Sequence, residues 1–121
     1  MLPKINRIKK KKDFETIFKK GVSFKNSLLI LKVVKNNLNQ SRIGFIVSQK
    51  VSKKATVRNK IRRRLAEAVK IHMKDISFGA QEKNGLDLVL IVLPIAEKSS
   101  FLDIKDALNG IFSKAKLIKN V

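Results

Sequence analysis

The sequence predicts an α+β two-layer sandwich in which helices pack on one four-stranded sheet, in the order αβββαβα. Two segments, 27–35 and 86–93, are almost continuously apolar and rich in branched residues, which is typical of buried strands. A helical apolar period runs through residues 57–72 and returns after residue 100. With 121 residues, 44% of them hydrophobic, we expect a single domain, 1–121, with a modest core.

The chain begins with a basic segment, residues 1–12, which we expect to be flexible. Asp13 is a predicted N-cap of a short helix that ends at Gly21, in the C′ position that favours glycine. Phe14 and Phe18 are four residues apart and so share one face of this helix. Such a pair is typical of a core contact, and a stacking platform for single-stranded bases is the alternative.

Three strands are predicted next, at residues 22–26, 27–35 and 42–48. The segment 36–40 between the second and the third is rich in asparagine and predicts a turn. Gly44 stands in the middle of the third strand, where glycine indicates that another part of the molecule approaches closely.

The fourth strand, at 86–93, follows a polar segment at 77–85 and stops at Pro94. Because it is apolar on both faces, we expect it to be central and parallel to a neighbour. Ser100 with Asp103 predicts a capping box at the start of the last helix. The apolar stripe of this helix consists of Ile104, Leu108, Ile111, Phe112 and Ala115.

The most informative stretch is 50–74, which carries ten basic residues and a single acid, Glu67. An apolar ladder at helical spacing runs through it, so we interpret 57–72 as a helix with one buried face. The buried set is Ile61, Leu65, Ala68, Val69 and His72. His72 is the only histidine of the chain, and its position in this set favours a structural role.

The helical period divides the polar residues of this helix into two sets. Arg58, Asn59, Arg62 and Arg63 form one ordered constellation, with Ala66 on the same outward arc. Lys60 and Arg64 point to another flank, and we assign them to general electrostatic attraction. The arginine fork binds phosphate in a bidentate manner and stacks on bases, which lysine cannot do. A merely solvated helix face is the alternative, but such faces alternate Glu with Lys.

The charge pattern indicates a polyanionic partner. Residues 1–74 carry 22 Lys and Arg against three acids, whereas residues 75–121 carry six of each, for a net charge of +19. The absence of cysteine excludes disulfides and thiolate metal sites. No acidic pair suits a metal or acid–base catalysis, and there is no glycine-rich phosphate loop. The residues alone therefore predict an RNA-binding domain without a catalytic constellation.

Compartment and membrane association follow from the same composition. No apolar run approaches the roughly 20 residues of a membrane span, and the N-terminus lacks the apolar core of a secretory signal. We therefore expect a cytoplasmic protein. A peripheral membrane protein with a basic amphipathic helix is disfavoured, because the core needs the apolar stripe and the chain has no Trp.

Three blocks of the chain resemble a known family. ATVRNKIRRRLAEA at 55–68 resembles the Arg-Asn-Arg signature, R-N-x-x-(K/R)-R-x-x-R-E, of the protein subunit of bacterial ribonuclease P. DFETIFKKG at 13–21 resembles the family's D-F-x-x-(V/I)-F-K-x-G opening, and RIGFIVSQK at 42–50 resembles its R-(V/I)-G-x-x-V-(S/A)-K-K strand. The blocks have the family's order and spacing and cover about residues 8–70.

The resemblance implies a protein that assists a ribozyme. In this family the RNA subunit, with magnesium ions, removes the 5′ leader of precursor transfer RNA. The protein would bind no metal itself, and one protein per RNA is expected. The family fold includes a left-handed βαβ crossover, against the usual right-handed rule. By the same resemblance, the residues expected to bind the RNA subunit are Lys53, Lys54, Arg58, Asn59, Arg62 and Arg63. Those expected to bind the leader are Phe14, Phe18, Lys32 and Lys50.

The chain departs from the signature at Ala66, where the third arginine is expected, so we expect one RNA contact to be missing. Gln49 replaces the first lysine of the usual pair, and Lys32 stands where relatives often have an aromatic residue. The alternative function is a ribosomal protein or RNA chaperone that uses the same basic helix without a role in processing.

Overall fold

The structure is a computed structural model that describes residues 7–36, 38, 41–72 and 85–115. Its elements follow the predicted order αβββαβα, with one short 3-10 helix before the last α-helix. They are α1 (Lys11–Lys20), β1 (Val22–Lys25), β2 (Leu29–Lys35), β3 (Arg42–Ile46), α2 (Ala55–His72), β4 (Leu86–Val92), the 3-10 helix (Pro94–Lys98) and α3 (Phe101–Lys114). The α+β class with a four-stranded sheet is therefore confirmed.

The strands lie in the order β1-β2-β4-β3, so β4, the last strand in the sequence, lies between β2 and β3. β4 is antiparallel to β2 and parallel to β3, as its apolar faces predicted. The connection between the parallel strands β3 and β4 contains α2. The left hand of that crossover, implied by the resemblance, stays a prediction.

The two faces of the sheet are covered by different helices. Leu88 and Leu90 of β4 belong to the main core, together with the buried side chains of α2 and α3. Val89, which points to the other face, packs with Ile8 and with Ile17 of α1 in a second, smaller cluster. The helices α2 and α3 thus form the layer that was predicted, and α1 covers part of the opposite face.

The N-terminal region differs from the prediction in two ways. Its helix begins at Lys11, so Asp13 is in the first turn rather than at the N-cap. Before this helix, Arg7 pairs with Ile43 and Ile8 is buried; residues 1–6 lie outside the described residues, and the flexibility of the segment 1–12 stays a prediction. Gly21 has φ −73°, so it does not adopt the left-handed conformation that its predicted role requires.

Steric contact explains two of the glycines. A Cβ atom at Gly21 would lie 2.5 Å from the carbonyl oxygen of Ile17, and one at Gly44 would lie 2.6 Å from the ring of Phe14. The close approach predicted at Gly44 is therefore confirmed, and the partner is the aromatic ring of α1. This contact fixes the distance between α1 and β3.

The starts of α2 and α3 agree closely with the sequence. Ser100 Oγ accepts a hydrogen bond from the Asp103 N–H at 3.1 Å, and the Ser100 N–H donates to Asp103 Oδ2 at 3.3 Å, which confirms the capping box. The helix α2 begins at Ala55, two residues earlier than predicted. Most of the predicted turn at 36–40 and of the polar segment at 77–85 lies outside the described residues.

Two glycine substitutions should have opposite effects on stability. Gly44→Ala should destabilise the fold by about 1–3 kcal/mol, because the new methyl group overlaps the Phe14 ring. Gly110→Ala should stabilise it by about 0.5–1 kcal/mol, because at this exposed position in α3 the new Cβ would meet no described atom within 4 Å apart from the adjoining residues and the helix's own backbone. Urea unfolding of both variants measures the difference. Equal effects would show that Phe14 does not pack against β3 as described.

Candidate nucleic-acid interface

The helix α2 is held by one face, which fixes the direction of its charged side chains. Ile61, Leu65 and Val69 are buried in the main core, as predicted. The prediction for Ala66 is wrong, because this residue is only 9% exposed and packs with the same core. The outward arc is thus interrupted at Ala66, between Arg62 and Arg63 on one side and Lys70 on the other.

Arg58 has a structural contact in addition to its predicted role. Its guanidinium donates from one terminal nitrogen to the carbonyl oxygens of Ser52, at 2.9 Å, and Lys53, at 3.0 Å. These bonds connect the segment between β3 and α2, residues 47–54, to the first turn of the helix. We call this segment the basic loop. Arg58 therefore positions the loop that carries Lys53 and Lys54.

Asn59 and Arg63 are the exposed members of the predicted constellation, and Arg62 is half-buried. Arg62 donates to the side-chain oxygen of Asn59, one turn earlier, and its other terminal nitrogen lies 3.5 Å from the carbonyl oxygen of Val47. These contacts orient the guanidinium before any ligand binds, which reduces the conformational entropy lost on binding. Arg63, the next residue along the helix, is exposed.

The other flank of α2 lines a groove of about 660 Å³ between the basic loop and the start of α3. Five cations line it: Lys50, Lys53, Lys54, Lys60 and Arg64. Lys60 and Arg64 were assigned from the sequence to general attraction, but the tertiary structure groups them with the loop lysines. Arg64 also lies over the ring of Phe101, 5.8 Å from its centroid.

On the opposite face of the sheet, the two predicted aromatics have different environments. Phe14 is half-buried, and its ring rests on Gly44 within the smaller cluster. Phe18 is 41% exposed, and the ammonium group of Lys32 lies 5.5 Å from its ring centroid. The structure thus brings Phe18 and Lys32 together. Lys50, assigned to the same leader site, instead lines the groove beside α2.

A charged network holds α1 on this face. Asp87 of β4 is buried and accepts two hydrogen bonds from Arg42, at 2.9 and 2.7 Å, and one from Asn36 at 2.8 Å. Arg42 also contacts Asp13 of α1 at 3.4 Å. The hydrogen bond to Asp87 raises the pKa of Arg42, while burial opposes the rise. The network keeps Arg42 charged and fixes the start of α1 on the sheet.

His72 contributes to the contact between α2 and α3. Its Nε2 lies 2.7 Å from Asn109 Oδ1, and its ring meets Phe112 edge-on at 5.9 Å. These contacts agree with the structural role inferred from the sequence. Within the described ranges no group of three or more His, Cys, Asp or Glu is placed to hold a metal ion. No helix among those residues is long and apolar enough to cross a membrane.

Two cations were missed by the sequence reasoning because their segment was expected to be flexible. Arg7 and Lys9 lie beside Arg62 and Arg63 and line the same recess. Ile8, an isolated apolar residue within the basic run, was the available signal, since it is buried in the smaller cluster.

A family model, related sequences and solved structures all relate this chain to the same family. The family model described as Ribonuclease P matches residues 2–116. The ribonuclease P protein component of Alkaliphilus metalliredigens is 37% identical over 113 residues, which cover 93% of this chain and 96% of that protein. The structure of the Staphylococcus aureus RNase P protein has a TM-score of 0.84 and 31% identity, covering 94% of this chain and 98% of that one. The RNase P protein of Thermotoga maritima gives 0.76 and 27%, with the same coverage.

Two arginine substitutions separate a positioning role from a purely surface role. Arg58→Ala should destabilise the fold by about 1–2 kcal/mol, because two hydrogen bonds from a charged donor are lost. Arg63→Ala should change stability by less than about 0.5 kcal/mol, because its side chain is exposed. Urea unfolding at fixed salt measures both. A destabilisation by Arg63→Ala as large as that by Arg58→Ala would contradict these assignments.

Proposed function

The chain belongs to the ribonuclease P protein family, and from this premise we propose how it contributes to the enzyme. Its function is that of the protein component of ribonuclease P, which takes part in maturing the 5′ end of transfer RNA, and its partner is the RNA of that enzyme. The comparisons give no support to the alternative of a ribosomal protein or RNA chaperone. A cytoplasmic location is part of the proposal.

We place the cleavage chemistry on the RNA subunit, with its magnesium ions. This assignment is supported by the absence, among the described residues, of any group of three or more His, Cys, Asp or Glu placed to hold a metal ion. Asp13 and Asp87, the carboxylates that share a partner, both bind Arg42. The protein then acts by binding and orienting RNA, and one protein per RNA is sufficient for that role.

The cations of α2 and its preceding loop supply the contact with the RNA subunit. The observation that carries this proposal is the rigid presentation of Asn59, Arg62 and Arg63 by a helix whose other face is buried. Lys53 and Lys54 extend the contact along the loop that Arg58 holds. Guanidinium groups oriented in this way bind phosphates in a bidentate manner, and neutralised phosphates make the affinity salt-dependent.

The opposite face of the sheet suits the single-stranded leader of the precursor. Phe18 offers an exposed ring for base stacking, and Lys32 lies next to it for a phosphate. Phe14 holds α1, the helix that carries Phe18, on the sheet, because its ring packs on Gly44. Lys50 can reach the leader only where that strand passes the basic loop, so its part in the site is the least direct.

The main test is reconstitution with a bacterial ribonuclease P RNA and precursor transfer RNA. At low magnesium we expect the chain alone to cleave nothing and the chain with the RNA to cleave much faster than the RNA alone. Arg62→Ala and Arg63→Ala should each weaken RNA binding and lower its salt slope by about one ion. Lys105→Ala on α3 is the control and should leave the slope unchanged. No stimulation, or cleavage by the chain alone, would refute the proposal.

A second test concerns the leader. Phe18→Ala should weaken holoenzyme binding of a precursor with a leader by about 5-fold or more, the loss expected for one stacked base, and should not affect transfer RNA without a leader. Phe101→Ala is a matched control, because the two phenylalanines are 41% and 40% exposed. Equal losses for both substrates would mean that Phe18 has only a packing role.

A further inference from the structure

We propose that a recess at the open edge of β3 binds one unstacked nucleotide of the RNA partner, with its base against Phe45 and Ala66. The recess has a volume of about 230 Å³ and lies between the N-terminal segment, β3 and α2. This inference rests on the proposed function, since it names a subsite within the RNA contact of α2. It concerns a different surface from the groove of lysines and from the face that carries Phe18.

The walls of the recess suit a flat, apolar ring. Phe45 is half-buried and presents an aromatic surface, and Ile8, Ile43 and Ala66 complete the apolar lining. Stacking on an aromatic side chain is tolerant of base identity, because every base has a π-face. An extended stack or duplex cannot enter a space of this size, so the occupant is a single unstacked base.

The rim carries positive charge on both sides. Arg7 and Lys9 flank the recess from the N-terminal segment, and Arg62 and Arg63 flank it from α2. The Arg7 Nε atom is buried and makes no hydrogen bond within the described part of the chain. A buried donor without a partner is unfavourable, so this lining residue has a hydrogen-bond donor that the described part of the chain does not satisfy.

The strand edge adds directional hydrogen bonding. β3 lies at the edge of the sheet, and the described N-terminal segment pairs with it at Ile43, whose carbonyl oxygen accepts from the Ile8 N–H at 3.0 Å. Alternate residues of a strand direct their backbone groups to the same edge. Phe45 therefore directs its N–H and C=O to this edge beyond the pairing at Ile43, where the edge of a base can bind them.

Ala66 is what leaves the recess open. The position is nearly buried, at 9% exposure, and the resemblance expects an arginine there. A long side chain at residue 66 would cross the recess between Phe45 and the N-terminal segment. In this chain a phosphate contact is thus exchanged for a space that accepts a base.

Nucleotide titration of the full free chain tests the recess directly. AMP should shift the amide NMR signals of Phe45 and Ala66, while ribose 5-phosphate and inorganic phosphate should shift only those of the rim cations. Signals of Phe18 and Lys32 report separately on stacking at the other face. Equal shifts at Phe45 and Ala66 from ribose 5-phosphate would overturn the proposal in favour of a simple anion site. No shift at these residues from AMP would overturn it as well, because the recess would then not accept a base.

A filled recess provides the second test. Ala66→Leu keeps helix propensity and charge and should weaken binding to a bacterial ribonuclease P RNA by about 5-fold or more. Ala55→Leu, the same change at an exposed position of α2, is the matched control and should leave affinity unchanged. Thermal melting of each variant verifies folding, and the titration decides alone if Ala66→Leu does not fold.

The two proposals fail in distinguishable ways. If Ala66→Leu folds and binds RNA normally while Arg63→Ala binds weakly, the recess has no nucleotide and the RNA contact of α2 stands. If Arg63→Ala also binds normally, the RNA contact assigned to α2 fails together with the recess. Loss of affinity in Ala66→Leu with an unchanged salt slope would support a base contact, because no charge was removed.

Discussion

The strand β4 must be covered on both faces of the sheet, and the remaining elements are arranged around that requirement. Leu88 and Leu90 face the layer of α2 and α3, while Val89 faces α1. Each of these side chains is fully buried. Because burial of apolar area is the main favourable term in folding, a strand of this composition is stable only at the centre of the sheet, between β2 and β3.

The central position of β4 determines where the cations are displayed. β3 and β4 are parallel neighbours, so the chain between them has to cross over one face, and α2 is in that crossover. Its apolar face completes the core, which leaves only the outer flanks for charged side chains. Repulsion among so many cations destabilises the helix. The buried contacts of Ile61, Leu65 and Val69 offset this destabilisation. The cations of α2 thus have fixed positions because the helix that carries them is part of the core.

Polar contacts also connect the elements on both faces of the sheet. Arg42 joins Asp87 of β4 to Asp13 of α1, and Arg58 joins α2 to the loop that precedes it. In each case one arginine makes more than one hydrogen bond and so connects two segments of the chain. The chain therefore uses arginine for two purposes, to connect its own segments and to display positive charge on the surface of α2. Only the contacts of each side chain separate the two uses.

The sequence by itself determined the element order, the central strand, the buried face of α2 and the polyanionic partner, because these depend on periodicity and charge along one segment. It did not determine that Ala66 is buried, that Lys60 and Arg64 join the loop lysines, or that Arg7 lies beside Arg62. Those facts depend on which surfaces meet when β4 is inserted into the sheet. Contacts between distant segments have no period in the sequence, so only the tertiary structure decided them.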